Sequence, residues 1–208
     1  VTDSAGNSSS ALSANTFVVD STAPTLSQVT GVTTPTTDNT PSYAFSANEA
    51  GTISYGGSCS SGTTSGSSGT NSISFGTLSE GSYSNCTITV TDSAGNASTA
   101  LSVNTFKVDT TAPTLSQVTA VTTPTKDSTP GYAFSSNEAG TISYGGSCSS
   151  GTTSASSGNN SISFNTLSEG TYDNCTITVT DSVGNASSAL SVNTFVIDTT
   201  APSLLQVT

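Results

Sequence analysis

The sequence predicts an all-β chain of small two-layered sandwiches set in tandem, and three observations carry that expectation. The first is an internal repeat. VTDSAGN at Val1 returns at Val90 and, as VTDSVGN, at Val179, a period of 89 residues with no insertion or deletion between copies. Such a period is too long for a solenoid coil, whose units need their neighbours to bury a core. It suits a complete small sandwich. The second observation is the pattern of short alternating runs, rich in β-branched residues and separated by Gly, Ser, Asn and Pro, with no sustained helical period. The third is a pair of cysteines in each copy, Cys59 with Cys86 and Cys148 with Cys175.

In the first full copy the runs place strands within residues 25–32, 43–47, 52–55, 72–75, 86–91 and 101–108, and the second copy repeats them. Thr87, Thr89 and Thr91 alternate with Ile88 and Val90, one wet face and one dry. The stretch 59–71, CSSGTTSGSSGTN, reads as a loop or weak edge strand because it lies between two cysteines of one copy. The repeat divides the chain into the end of a preceding copy (1–20), full copies at 21–109 and 110–198, and the first strand of a following copy (199–208). The chain has no Met, and it is expected to be a window of a longer array. The end pieces 1–20 and 201–208 could instead complete neighbours by strand addition, but together they lack the middle of a sandwich.

Composition excludes several functions. Thirteen acids face two lysines, with no arginine or histidine and a net charge of −11. A nucleic-acid binder needs a basic footprint, and anionic membranes would repel this surface. No membrane-inserting segment is visible in the sequence. Without histidine, and with its cysteines paired, the chain lacks the usual acid–base and nucleophilic groups, so no enzyme is expected. The cysteines lack C-x-x-C spacing and no histidine can complete a zinc shell, which leaves an intradomain disulfide in each copy. Disulfides persist in oxidising compartments and point to a secreted or surface-displayed protein.

The joint D-x-T-A-P followed by L-S-x-V-T, the run TPxYxFSxNEAGTISY, and L-S-E-G-x-Y before TITVTDSxGN together resemble bacterial immunoglobulin-like repeats of large surface adhesins and extracellular fibres. The resemblance covers essentially the whole chain. It implies Ig-like Greek-key sandwiches of seven strands and a role as stalk or adhesive module. Leu78, Gly81 and Tyr83, and in the second copy Leu167, Gly170 and Tyr172, resemble the tyrosine corner of such folds. There is no Trp behind the disulfide. Cys59 lies past the third strand, so the bridge is expected to pin a loop to the start of the fifth.

In such a sandwich the segment leading in, the turn after the second strand and the turn after the fifth lie at one end. This brings together Asp20, Glu49 (beside Asn48), Asp92 and Asn96, and at the next joint Asp109, Glu138 (beside Asn137), Asp181 and Asn185. Oxygen ligands without nitrogen or sulfur suit Ca²⁺, and packed carboxylates need a counter-charge. Calcium at domain joints is also what the resemblance implies. The simpler reading stands beside it: Asp and Asn before Gly form turns by bonding local amides. No linear EF-hand pattern occurs.

Other chemistry is weaker. Lys107 aligns with Val18 and Val196, and Lys126 with Thr37, so no lysine is repeated as a self-formed isopeptide bond would require. Asn85 and Asn174 begin N-x-T sequons. The threonine ranks are too short for an ice-binding face. The expected function is an extracellular stalk or filament of tandem Ig-like domains, part of a surface adhesin or fibre. Its expected partners are neighbouring repeats and like chains. The alternative is an adhesion module that recognises glycan or protein through its loops.

Overall fold

The structure, a computed structural model, describes residues 1–204, so part of the strand expected over 199–208 lies outside the described residues. The first nine strands are β1 (Leu26–Thr30), β2 (Ser42–Ala47), β3 (Gly51–Gly56), β4 (Ser65–Gly66), β5 (Gly69–Ser74), β6 (Gly81–Tyr83), β7 (Thr87–Thr91), β8 (Leu101–Ser102) and β9 (Phe106–Val108). The next nine repeat them: β10 (Leu115–Thr119), β11 (Gly131–Ser136), β12 (Gly140–Gly145), β13 (Ser154–Ala155), β14 (Gly158–Ser163), β15 (Gly170–Tyr172), β16 (Thr176–Thr180), β17 (Leu190–Ser191) and β18 (Phe195–Ile197). Among the described residues no helix is long and apolar enough to cross a membrane.

The chain divides into two compact units. One comprises Val1–Gly31, Ser42–Ser74 and Asn85–Val103; the other comprises Val32–Pro41, Phe75–Ser84 and Asn104–Thr208. The second copy lies wholly in the latter. There β10-β11-β14 form one antiparallel sheet, β13-β12-β16-β17 a second, and β15-β18 a two-stranded ribbon. In β11 and β16 every second residue turns inward, and β12 and β14 each add a buried isoleucine. Tyr132, Phe134, Ile142, Ile162, Ile177 and Val179 therefore join Phe195 and Ile197 in one buried core. Phe164 stacks on Phe195 at 6.0 Å between ring centres, and Tyr172 covers the other side at 5.2 Å. The outward residues of β16 are Thr176, Thr178 and Thr180, half-buried as alternation predicts.

The first unit repeats two of these sheets, β1-β2-β5 and β4-β3-β7-β8, and the β6-β9 ribbon belongs to the second unit. Two features differ from the sequence expectation. The sixth run, 101–108, is not one strand. It splits into β8, paired with β7, and β9, paired with β6. Asn104 sits at the break. Its side chain accepts a bond from Val32 N at 2.9 Å and donates one to Val32 O at 2.9 Å, taking the place of a ladder pair. The second difference is β6 itself, too short to show alternation, which forms because β9 offers an unpaired edge. The stretch 59–71 holds the short edge strand β4.

Candidate functional site

The turn after β7 is built locally. Asp92 Oδ1 accepts bonds from Ala94 N at 2.8 Å and Asn96 N at 2.9 Å, Asn96 Nδ2 donates to Asp92 Oδ2 at 2.9 Å, and Gly95 supplies a φ of +94°. Residues 181–185 close the same way, Asp181 Oδ1 accepting from Val183, Gly184 and Asn185 N. Residues 3–7 also form this turn, Asp3 accepting from Ala5 N and Asn7 N at 2.9 Å. That turn, too, closes on its own local bonds, so turn chemistry accounts for the D-S-x-G-N pattern.

It does not explain what the other two turns touch. Asn96 Nδ2 also donates to Asp20 O at 3.2 Å, 76 residues away in sequence, and Asn185 Nδ2 donates to Asp109 O at 3.1 Å. Carboxylate oxygens of Asp20, Glu49 and Asp92 lie within 4.8 Å of one another, as do those of Asp109, Glu138 and Asp181. The first group lies in the first unit and the second in the second. Glu49 is placed by Asn48, whose Oδ1 accepts Thr25 N at 2.6 Å and whose Nδ2 donates to Glu49 Oε1 at 3.1 Å. Asn137 does the same for Glu138, with Thr114 N at 2.6 Å.

Three carboxylates in one small space form an oxygen donor set suited to a hard cation. Asn96 and Asn185 direct their amide nitrogens at backbone and carboxylate oxygens, so in this arrangement they act as clamps beside the carboxylates. The Asn96 amide, with the turn's backbone N–H groups, holds the Asp92 carboxyl below its ordinary range. Burial pushes Asp181 up, but the bonds from Asn185, Val183 and Gly184 outweigh it and the net direction is down.

The two groups differ in one charge. Lys107, on β9, places Nζ 2.7 Å from Asp109 Oδ2. Asp109 keeps the ammonium charged above its usual range, and Glu138 and Glu80 add to that field. Asp109 is buried at 7% exposure, whereas Asp20 is exposed.

The connection between β9 and β10 is also held by Glu80. Glu80 Oε2 accepts the hydroxyls of Thr110 and Thr111, and Glu169 Oε2 accepts those of Thr199 at 3.1 Å and Thr200 at 2.6 Å. The signal was present in the constant distance from each SEG to the following D-T-T. Cys59 is bonded to Cys86 and Cys148 to Cys175, each pair 5.3 Å apart at Cα. Each bridge ties the loop after β3 or β12 to the residue before β7 or β16. The tyrosines sit on the short ribbons: Tyr83 Oη donates to Ser79 O at 2.8 Å and Tyr172 Oη to Ser168 O at 3.0 Å.

Residues 70–135, from within β5 to within β11, match the family model of the bacterial Ig-like domain, group 3. Over those residues the chain is similar to a bacterial Ig-like domain. The Ig-like family is generally non-enzymatic, and both the family and the disulfides are typical of extracellular proteins. They support a structural or adhesion-type module. The chain matches no curated protein and no solved structure.

Proposed function

We propose that this chain is part of an extracellular stalk or filament, built of tandem Ig-like domains in a surface adhesin or fibre. The observation that supports this best is the grip on the connection between β9 and β10. Asn185 holds the carbonyl of Asp109, and Glu80 holds Thr110 and Thr111. A tether that only links beads needs no such contacts. The carboxylates of Asp20, Glu49 and Asp92 offer calcium a place to stiffen the joint ahead of β1. Direct adhesion draws less support. Aromatic rings are the usual anchors of a binding surface, and here Tyr43, Phe45, Tyr132 and Phe134 are all buried; among the described residues Phe17 is the one aromatic counted with the exposed large hydrophobics.

A stalk must resist tension, so stretching the chain by its two ends in a single-molecule force experiment tests the reading. With the bridges oxidised, 27 of the 89 residues of each repeat stay locked, and each unfolding event should release roughly 200 Å of chain at about 3.5 Å per residue. Reduction should raise this to roughly 300 Å. Two separate high-force events support a load-bearing array. One low-force, gradual extension would overturn it.

A further inference from the structure

Three carboxylates gathered at one point repel one another unless a positive charge joins them. At the connection between β9 and β10 such a charge is already part of the chain. Lys107 Nζ sits 2.7 Å from Asp109 Oδ2, with the aspartate side chain only 10% exposed and the lysine half in solvent. Glu138 and Glu80 are the other charged groups acting on it. One period earlier the same position is Val18, and one period later it is Val196. Asp20, Glu49 and Asp92 therefore also bring their carboxylates within 4.8 Å of one another, with no lysine at the corresponding position.

We propose that the Lys107 ammonium is the resident cation of the connection between β9 and β10, making that joint self-neutralised and independent of divalent metal. The joint ahead of β1, with Val18 in place of the lysine, depends on a metal ion; that half rests on the calcium reading given above. Joints of two kinds then alternate in one chain, decided by a single side chain. An ammonium is a monovalent point charge carried on a flexible stem. It offsets one of the three carboxylates and blocks the approach of a second cation to Asp109. The lysine stem projects from the solvent side of β9, between the buried Phe106 and Val108, so its head can change without disturbing the core.

Amide hydrogen exchange of the full chain, in calcium chloride and then in EDTA, tests this at both joints in one molecule. The amides of 92–96 and 181–185 are the reporters, since each turn closes on a carboxylate of its own cluster. EDTA should speed exchange at 92–96 by about tenfold or more and leave 181–185 unchanged. In Lys107→Met, 181–185 should become EDTA-sensitive as well, and Lys107→Arg should behave as the parent chain. Unchanged protection across β16 shows that each variant is folded. An EDTA response at 181–185 in the parent chain, or no effect of Lys107→Met in either buffer, overturns the proposal. Should 92–96 ignore EDTA while Lys107→Met still loosens 181–185 in EDTA, the role of the lysine stands. The calcium reading at the first joint then fails.

Discussion

Asn185 serves two purposes with one amide group: it closes the 181–185 turn on Asp181 and fastens that turn to the carbonyl of Asp109. Replacing it by Ala leaves a largely buried backbone carbonyl without its donor, and stability should fall by about 1–2 kcal/mol in chemical denaturation. Asn7 makes the same turn but reaches no distant partner in the described residues, so Asn7→Ala should change stability by less than about 0.5 kcal/mol. Equal effects of the two substitutions would reduce Asn185 to a turn former. The aspartates of these turns also set an acid response. Asp92 and Asp181 have folded-state values held below the ordinary 3.8. Their contribution is therefore fully present above that value and is lost as pH falls through the lower folded one. Stability followed from pH 6 to pH 2 should be flat at first and decline below about pH 4. The decline should be shallower in the double variant Asp92→Asn, Asp181→Asn. An unchanged slope would mean that other carboxylates govern acid unfolding.

The strands show how much of the fold the sequence carries. β2, β3 and β7 were legible because each alternates apolar and polar residues, Tyr43, Phe45 and Ala47 being the plainest case, whereas β5 carries Ile73 alone and was legible in its second half only. The clusters were legible for a topological reason: strand order alone puts residues 20, 49 and 92 at one end. What stayed hidden were features made by single side chains or by edges. Asn104 falls inside the run expected to be one strand over 101–108, yet it cuts that run into β8 and β9. β6 exists only as the partner of β9, three residues being too few for a periodic signal. Lys107 was read as a residue with no repeated role, because its significance depends on where Asp109 and Glu138 come to rest. Phe195 on β18 is fully buried between Phe164 and Tyr172, so Phe195→Ala should cost about 3–5 kcal/mol in denaturant titration. A loss under about 1 kcal/mol would mean that the ribbon is not part of the folded core. Removing the second bridge by Cys148→Ser with Cys175→Ser should cost about 3–4 kcal/mol, since it frees a loop of 27 residues.

For the whole molecule, repetition is the dominant fact. Near-identical copies in fixed register add length without adding a new site, and a chain with two lysines and no arginine offers trypsin-like proteases few places to cut. Both properties suit an exposed stalk. On the stalk reading proposed above, the connections between copies set the stiffness, since Asn96 and Asn185 bond the carbonyls of Asp20 and Asp109 at the same period. Small-angle X-ray scattering of the chain, first with excess calcium and then with EDTA, tests that claim most directly. On that reading, the maximum dimension should lie near two sandwich lengths in calcium and stay there in EDTA, because Lys107 makes the connection between the two copies independent of metal. A compact particle, or a broad distribution of lengths in both buffers, would contradict it.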